Sequence, residues 1–197
     1  MKQVFLQNSL RLLAGALVVF SLSQCTKEAM DHDGGAAMDS KAMQSMNLKK
    51  EYRASLGALN NSVAHGMAHL VLDGNRLTVS LEAMGLEAGK PHPQHIHGFM
   101  ENNRNSTCPT SALDTNGDGL IDLGESVPAY GPVILDLAPM PVADAQGKVM
   151  YTRTFEISKD LLPLQNRAIV LHGLTVNGTY IATLPVACGQ VMPVSGE

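Results

Sequence analysis

Beyond residue 60, hydrophobic and polar positions alternate more often than they repeat at helical spacing. From Val63 to Leu72, the residues Val63, His65, Met67, His69 and Val71 fall on one face of a strand. Asp73-Gly74-Asn75 is a turn signal, and Leu77, Val79 and Leu81 then alternate with polar residues, which predicts a hairpin. Gly85 to Pro91 reads as loop. Further strands are predicted around His95 and His97, then over Pro132–Leu137, Val149–Ile157, Arg167–Leu174 and Thr179–Cys188, with turns at Ala145-Gln146-Gly147 and Asn177-Gly178. About seven or eight short antiparallel strands of this kind make an all-β sandwich or Greek-key barrel. A weaker helical period over Ala42–Leu59 predicts one short helix. There is no βαβ rhythm and no glycine-rich phosphate loop, so no organic cofactor is expected.

The N-terminal pattern is different. An apolar run, Leu12 to Phe20, ends at Leu22-Ser23-Gln24-Cys25. It suits the apolar region of a signal peptide and falls short of the roughly 20 residues a spanning helix needs. A cysteine directly after it resembles a bacterial lipoprotein signal, which makes 1–25 the signal and Cys25 the lipidated residue. An exported, membrane-tethered protein of the cell envelope is expected. Residues 26–55 change composition: Met30, Met38, Met43 and Met46 lie among Gly, Ala, Ser, Asp and Lys, as in a flexible tether. Thioethers bind Cu(I), and Met30 with His32 offer such donors, although a plain linker accounts for the stretch. The globular part is then 56–197, about 140 residues, enough for one core.

Composition narrows the chemistry. Tryptophan is absent, so Val, Leu, Ile and Met must fill the core. A formal net charge of −4 without a basic cluster gives nothing to grip nucleic acid. Of three cysteines, Cys25 would carry lipid. That leaves Cys108 and Cys188 to pair in an oxidising compartment, the alternative being two buried thiols. Such a bridge would contribute roughly 4 kcal/mol by the chain-entropy relation.

Two kinds of metal chemistry are written in the chain. In His92-Pro93-Gln94-His95-Ile96-His97, strand alternation puts His95 and His97 on the same side, about 7 Å apart. They can converge on a transition metal or lie as polar surface on an edge strand. His172, on a later strand, is the third candidate, and His92 is a fourth that Pro93 directs away. His65 and His69 read as solvent-face residues. The second signal is Asp114-Thr115-Asn116-Gly117-Asp118-Gly119-Leu120-Ile121-Asp122-Leu123-Gly124-Glu125, which fits the calcium loop pattern at every defined position. Asp114, Asn116 and Asp118 would ligate at one, three and five, the Leu120 carbonyl at seven, Asp122 at nine and bidentate Glu125 at twelve. Pro109 before the loop, and Pro128 and Gly131-Pro132 after it, argue against flanking helices. A single such loop points to a structural ion.

The order His95-Ile96-His97-Gly98-Phe99, Cys108, Asn166-Arg167-Ala168-Ile169-Val170-Leu171-His172 and Ala187-Cys188-Gly189 resembles copper/zinc superoxide dismutases. The resemblance spans about Val63 to Val191. It implies an immunoglobulin-like Greek-key β-barrel, copper held by His95, His97 and His172, and a Cys108–Cys188 bridge. The bridging and zinc histidines of that family would fall between His97 and Tyr130, where this chain has none and carries the calcium-type loop instead. No arginine precedes Cys188 in Leu184-Pro185-Val186-Ala187, so anion steering is weakened and efficient dismutation is not expected. The same outline also resembles the chordin-type (CHRD) domain, which would make the protein a non-catalytic adhesive or structural module. An atypical copper dismutase is a third expectation.

Overall fold

The computed structural model describes residues 49–102 and 104–195, so the expected signal, Cys25 and the first part of the tether lie outside the described residues. The strands are β1 (Lys50–Ala58), β2 (His65–Asp73), β3 (Arg76–Met84), β4 (Gln94–His97), β5 (Val133–Asp136), β6 (Val149–Glu156), β7 (Ala168–Val176), β8 (Thr179–Gln190) and β9 (Met192–Pro193). Among the described residues one α-helix, α1 (Leu123–Tyr130), lies between β4 and β5. All pairings are antiparallel and run in the order β5-β4-β7-β8-β1-β2-β3-β6, with β9 on the free side of β1.

β1 joins the two halves of this order. Its first part, Lys50 to Leu56, pairs with β2, and Gly57 and Ala58 pair with Cys188 and Ala187 of β8. The chain therefore curls at β1 into two faces, β6-β3-β2-β1 and β5-β4-β7-β8, and stays open between β5 and β6. The corner is tight: a side chain at Gly189 would place its Cβ 2.5 Å from the Ser55 carbonyl oxygen. The crossing from β3 to β4, the return from β5 to β6 and the second crossing from β6 to β7 carry the chain between faces and give a Greek-key connection.

Alternation explains the core. Tyr52, Ala54 and Leu56 of β1, Leu70 and Leu72 of β2, Leu77, Val79 and Leu81 of β3, Ile96 of β4, and Ile169 and Leu171 of β7 point inward and form one cluster. The intervening residues of β7, Ala168 and Val170, pack on the other side against Tyr130, Cys188, Cys108 and Val127. β7 is buried on both faces because the long β4–β5 connection, with α1, lies over its outer side. Cys108 and Cys188 form the disulfide that fastens this connection to β8. Arg167 is 1% exposed and is held by four backbone carbonyls, those of Phe99, Asp160, Leu161 and Leu162, so it fixes the crossover into β7.

Two local expectations are corrected. Lys50–Ala58 is strand, where weak periodicity predicted helix and composition extended the tether to residue 55. Its alternation is carried by Tyr52, Ala54 and Leu56 alone, and a buried alanine leaves little trace in hydropathy. Pro128 does not prevent a helix from leaving the calcium-type loop. It sits inside α1, where in so short a helix it removes only one backbone hydrogen bond.

Candidate metal centre

His95 and His97 leave the outer side of β4, as alternation requires. In register, His95 faces Val170 and His97 faces Ala168 of β7, and the His172 amide donates to the Pro93 carbonyl at 2.9 Å. His172 therefore lies diagonally across from His95, on the same outer side, at a register shift in the β7–β8 ladder. One ligand atom from each of the three rings lies within 4.8 Å of the others. The ring centroids are 5.2 to 5.7 Å apart.

On two of the rings, the nitrogen that points inward is set by a hydrogen bond on the far side. Nδ1 of His97 donates to the Gly131 carbonyl at 2.9 Å, and Nδ1 of His172 donates to the Thr183 carbonyl at 2.9 Å. A carbonyl can only accept, so each ring is the Nδ1–H tautomer and its Nε2 keeps a lone pair. On His95 it is Nε2 that faces an outer partner, 3.7 Å from Oδ1 of Asp136, its register partner on β5, a contact too long for a hydrogen bond. The three remaining nitrogens are His95 Nδ1, His97 Nε2 and His172 Nε2, and all are buried without a hydrogen-bond partner. Three unpaired acceptors in one place would be costly if nothing bound to them.

Burial also decides protonation. Desolvation, with the neighbouring ring adding to it and the Gly131 bond opposing it, lowers the pKa of His97 to about 4. His172 is lowered to about 3, again mainly by burial. His95 is lowered by burial while Asp136 pulls it up. The rings are thus neutral at pH 7, the form that binds metals. The cleft above them, about 290 Å³, is rimmed by Pro93, Leu123, Val133, Ala182 and Thr183. No lysine or arginine lines it.

α1 supports this centre from both ends. Leu123, its first residue, stands at the rim, and Gly131, at its C-terminal end, supplies the carbonyl for His97. The Tyr130 ring lies 4.3 Å from that of His97, and the Tyr130 hydroxyl is bonded to Ser126 Oγ at 2.5 Å. Asn60 ties the calcium-type loop to β8. Its Oδ1 accepts from the Ile121 amide at 2.6 Å, and its Nδ2 donates to the Ile121 and Pro185 carbonyls. Pro185 is the register partner of His172.

Within the loop, Asp114 accepts from the amides of Gly117 and Gly119, Asn116 from that of Asp118, and Asp118 from that of Leu120. Glu125 reaches back to Thr115 and Asn116 through Oε1 and to the Asp122 amide through Oε2. Asp122 and Glu125 cap α1 reciprocally. The Asp122 amide, chiefly, and the Thr115 and Asn116 groups hold the Glu125 pKa below its ordinary value.

The other described histidines, His65, His69 and His92, lie apart from the three. His92 is buried, with Nδ1 at the His172 carbonyl and Nε2 at the Glu87 carbonyl, so it backs the site without joining it. His65 and His69 are on the solvent face of β2 as expected. The carbonyls of Gly131 and Thr183 leave no mark in a sequence, since any residue supplies one. Asn60 does leave a trace: Asn60-Asn61 is a dipeptide suited to the positive φ found at both positions.

No protein-family profile and no curated protein matches the chain. Among solved structures it is similar to a point mutant of superoxide dismutase 5 from Candida albicans, with a TM-score of 0.47 and 13% sequence identity, over 76% of this chain and 93% of that one. A likeness of that degree carries no inference about chemistry.

Proposed function

We propose that this protein is a metal-binding β-barrel of the cell envelope, holding one copper ion through His95 Nδ1, His97 Nε2 and His172 Nε2. One observation carries the reading: among the described residues, the buried ring nitrogens that lack a protein partner belong to the three histidines whose ligand atoms converge, while carbonyls hold the opposite nitrogens of His97 and His172. That is the second-shell arrangement by which proteins orient imidazole ligands. Three neutral imidazoles suit copper in either oxidation state, and zinc fits the same donors. Copper there would supply one-electron chemistry. The chain's own residues would fix the ligand geometry and screen the ion with an apolar rim. They would place no guanidinium or ammonium at the mouth to draw an anion, so the role is metal binding or handling rather than fast dismutation.

The same reading gives the 114–125 loop a calcium ion, held by Asp114, Asn116, Asp118, the Leu120 carbonyl, Asp122 and Glu125. Its support is the full twelve-position pattern and the way Glu125 already closes on the loop start. Such an ion would be structural, ordering the connection that carries α1. An apolar run ending at Cys25 supports export and a lipid anchor at that cysteine.

Copper titration of the purified domain tests the proposal. One equivalent should bind, with a spectrum of nitrogen ligation, and His97→Ala or His172→Ala should abolish it. A domain that takes up no stoichiometric metal would leave a structural module of the CHRD kind, its histidines serving only as polar packing.

A further inference from the structure

We propose that the groove lined by Met67, His69 and Met150, on the outer face of β2, β3 and β6, is a second site for a soft monovalent ion of the Cu(I) class. It stands independently of the three-histidine centre, which lies on the other face of strands, β4 and β7. Pairing register builds it. Met67 of β2 and Met150 of β6 are both register partners of Glu82 on β3, one from each side. His69 follows Met67 by two residues, so its ring leaves the same side of the strand. All four residues line one open groove of about 370 Å³.

The rest of this face is unlike that end of it. Thr78 bonds Thr154 at 2.8 Å and Arg76 meets Glu156 at 3.5 Å, an ordinary polar strand surface, while Thr152, bonded to Ser80 at 3.2 Å, lines the groove itself. Against it, Met67 is 47% and Met150 73% exposed, so neither gains much from burial. Met84, at 42%, stands in register opposite His65 at the same end of the hairpin. What exposed thioethers beside an imidazole do well is bind soft d¹⁰ ions, for which hard carboxylate sites compete poorly. His69 turns Nε2 toward Glu51 at 3.2 Å, which leaves Nδ1 for an ion. Glu82 is neutralised by Lys148 Nζ at 2.6 Å, so the groove offers little to calcium or magnesium. Two thioethers and one imidazole would supply the low coordination number such an ion prefers.

Silver(I), a redox-silent stand-in for Cu(I), provides the test on the full chain carrying ¹³C-methyl methionine. The expected result is that the Met67 and Met150 methyl resonances shift together along one common binding curve, while calcium and zinc leave them in place. The Met67→Leu/Met150→Leu variant, which keeps size and apolarity, should bind one silver ion fewer than the parent. The proposal is overturned if silver moves only the methionines of the 26–55 segment, or if the double variant binds as many ions as the parent. Loss of silver at the three-histidine centre, read separately in His172→Ala, leaves this result unaffected.

Discussion

His97 and Gly131 are 34 residues apart in the chain, yet the Nδ1–H of the first donates to the carbonyl of the second at 2.9 Å. The bond links a metal-type histidine on β4 to the end of α1. It depends on Gly131 adopting a φ of 84°, and on the absence of a side chain whose Cβ would stand 2.6 Å from the Gly98 carbonyl oxygen. In Gly131→Ala the carbonyl must move while all three imidazoles remain. Metal affinity at the centre should fall about 10- to 100-fold, the usual cost of losing an outer-shell partner. Competition against a chromophoric chelator measures it, and an unchanged affinity would show that the bond does not orient the ring.

The metal-free protein should weaken as pH falls. His97 and His172 ionise near 6.5 when unfolded but only at about 4 and about 3 when folded. Between these values the unfolded chain binds more protons, so stability is fully present above pH 6.5 and declines toward pH 4. The His97 share is on the order of 3 kcal/mol. Urea midpoints at pH 7 and 4.5 should differ more in the parent than in His97→Gln/His172→Gln, which has no such groups to titrate.

Calcium should raise the thermal midpoint of the domain, and a chelator should reverse the gain. Glu125→Gln should lose the response, because it removes one charge from the loop and weakens its closure on Thr115 and Asn116. Since α1 begins in that loop and ends at the carbonyl facing His97, calcium should also tighten metal binding at the histidines by about fivefold or more. Titrations with and without calcium check this. Equal affinities would mean that the two ends of α1 act separately.

Replacing Arg167 is expected to be among the costliest changes in the chain. Arg167→Met keeps the stem and removes the donors, leaving four carbonyls around a buried position without their partner. Stability should fall by about 3–5 kcal/mol, read from chemical denaturation. A loss below about 1 kcal/mol would show that water takes over those carbonyls.

Much of this arrangement was open to reading from residues alone, and the unread parts share a cause. Alternation put His95 and His97 on one side and gave most strands within a few residues. It could not prove which later strand lies beside β4, because that pairing follows from long-range topology. His172 stood as a third candidate from its own strand, and the likeness of whole segments to a known family added its place among copper ligands. The strand at Lys50–Ala58 was hidden because a one-sided strand filled by alanine resembles polar linker. α1 was hidden because a proline inside a helix and one that ends it look alike until the caps are known. The groove at Met67 and Met150 was invisible for another reason: exposure is a property of pairing, and methionine is expected in cores.

The gap between β5 and β6 has a consequence for how the molecule behaves in company. Two unpaired strand margins on one side could recruit a neighbour's backbone and begin an extended ribbon. Here β5 is only four residues long and lies between Pro132 and Pro139, and β6 carries Arg153 and Glu156. Short length, ring-blocked ends and opposed charges deny a template to another copy. Many such molecules can therefore crowd together without fusing into fibrils.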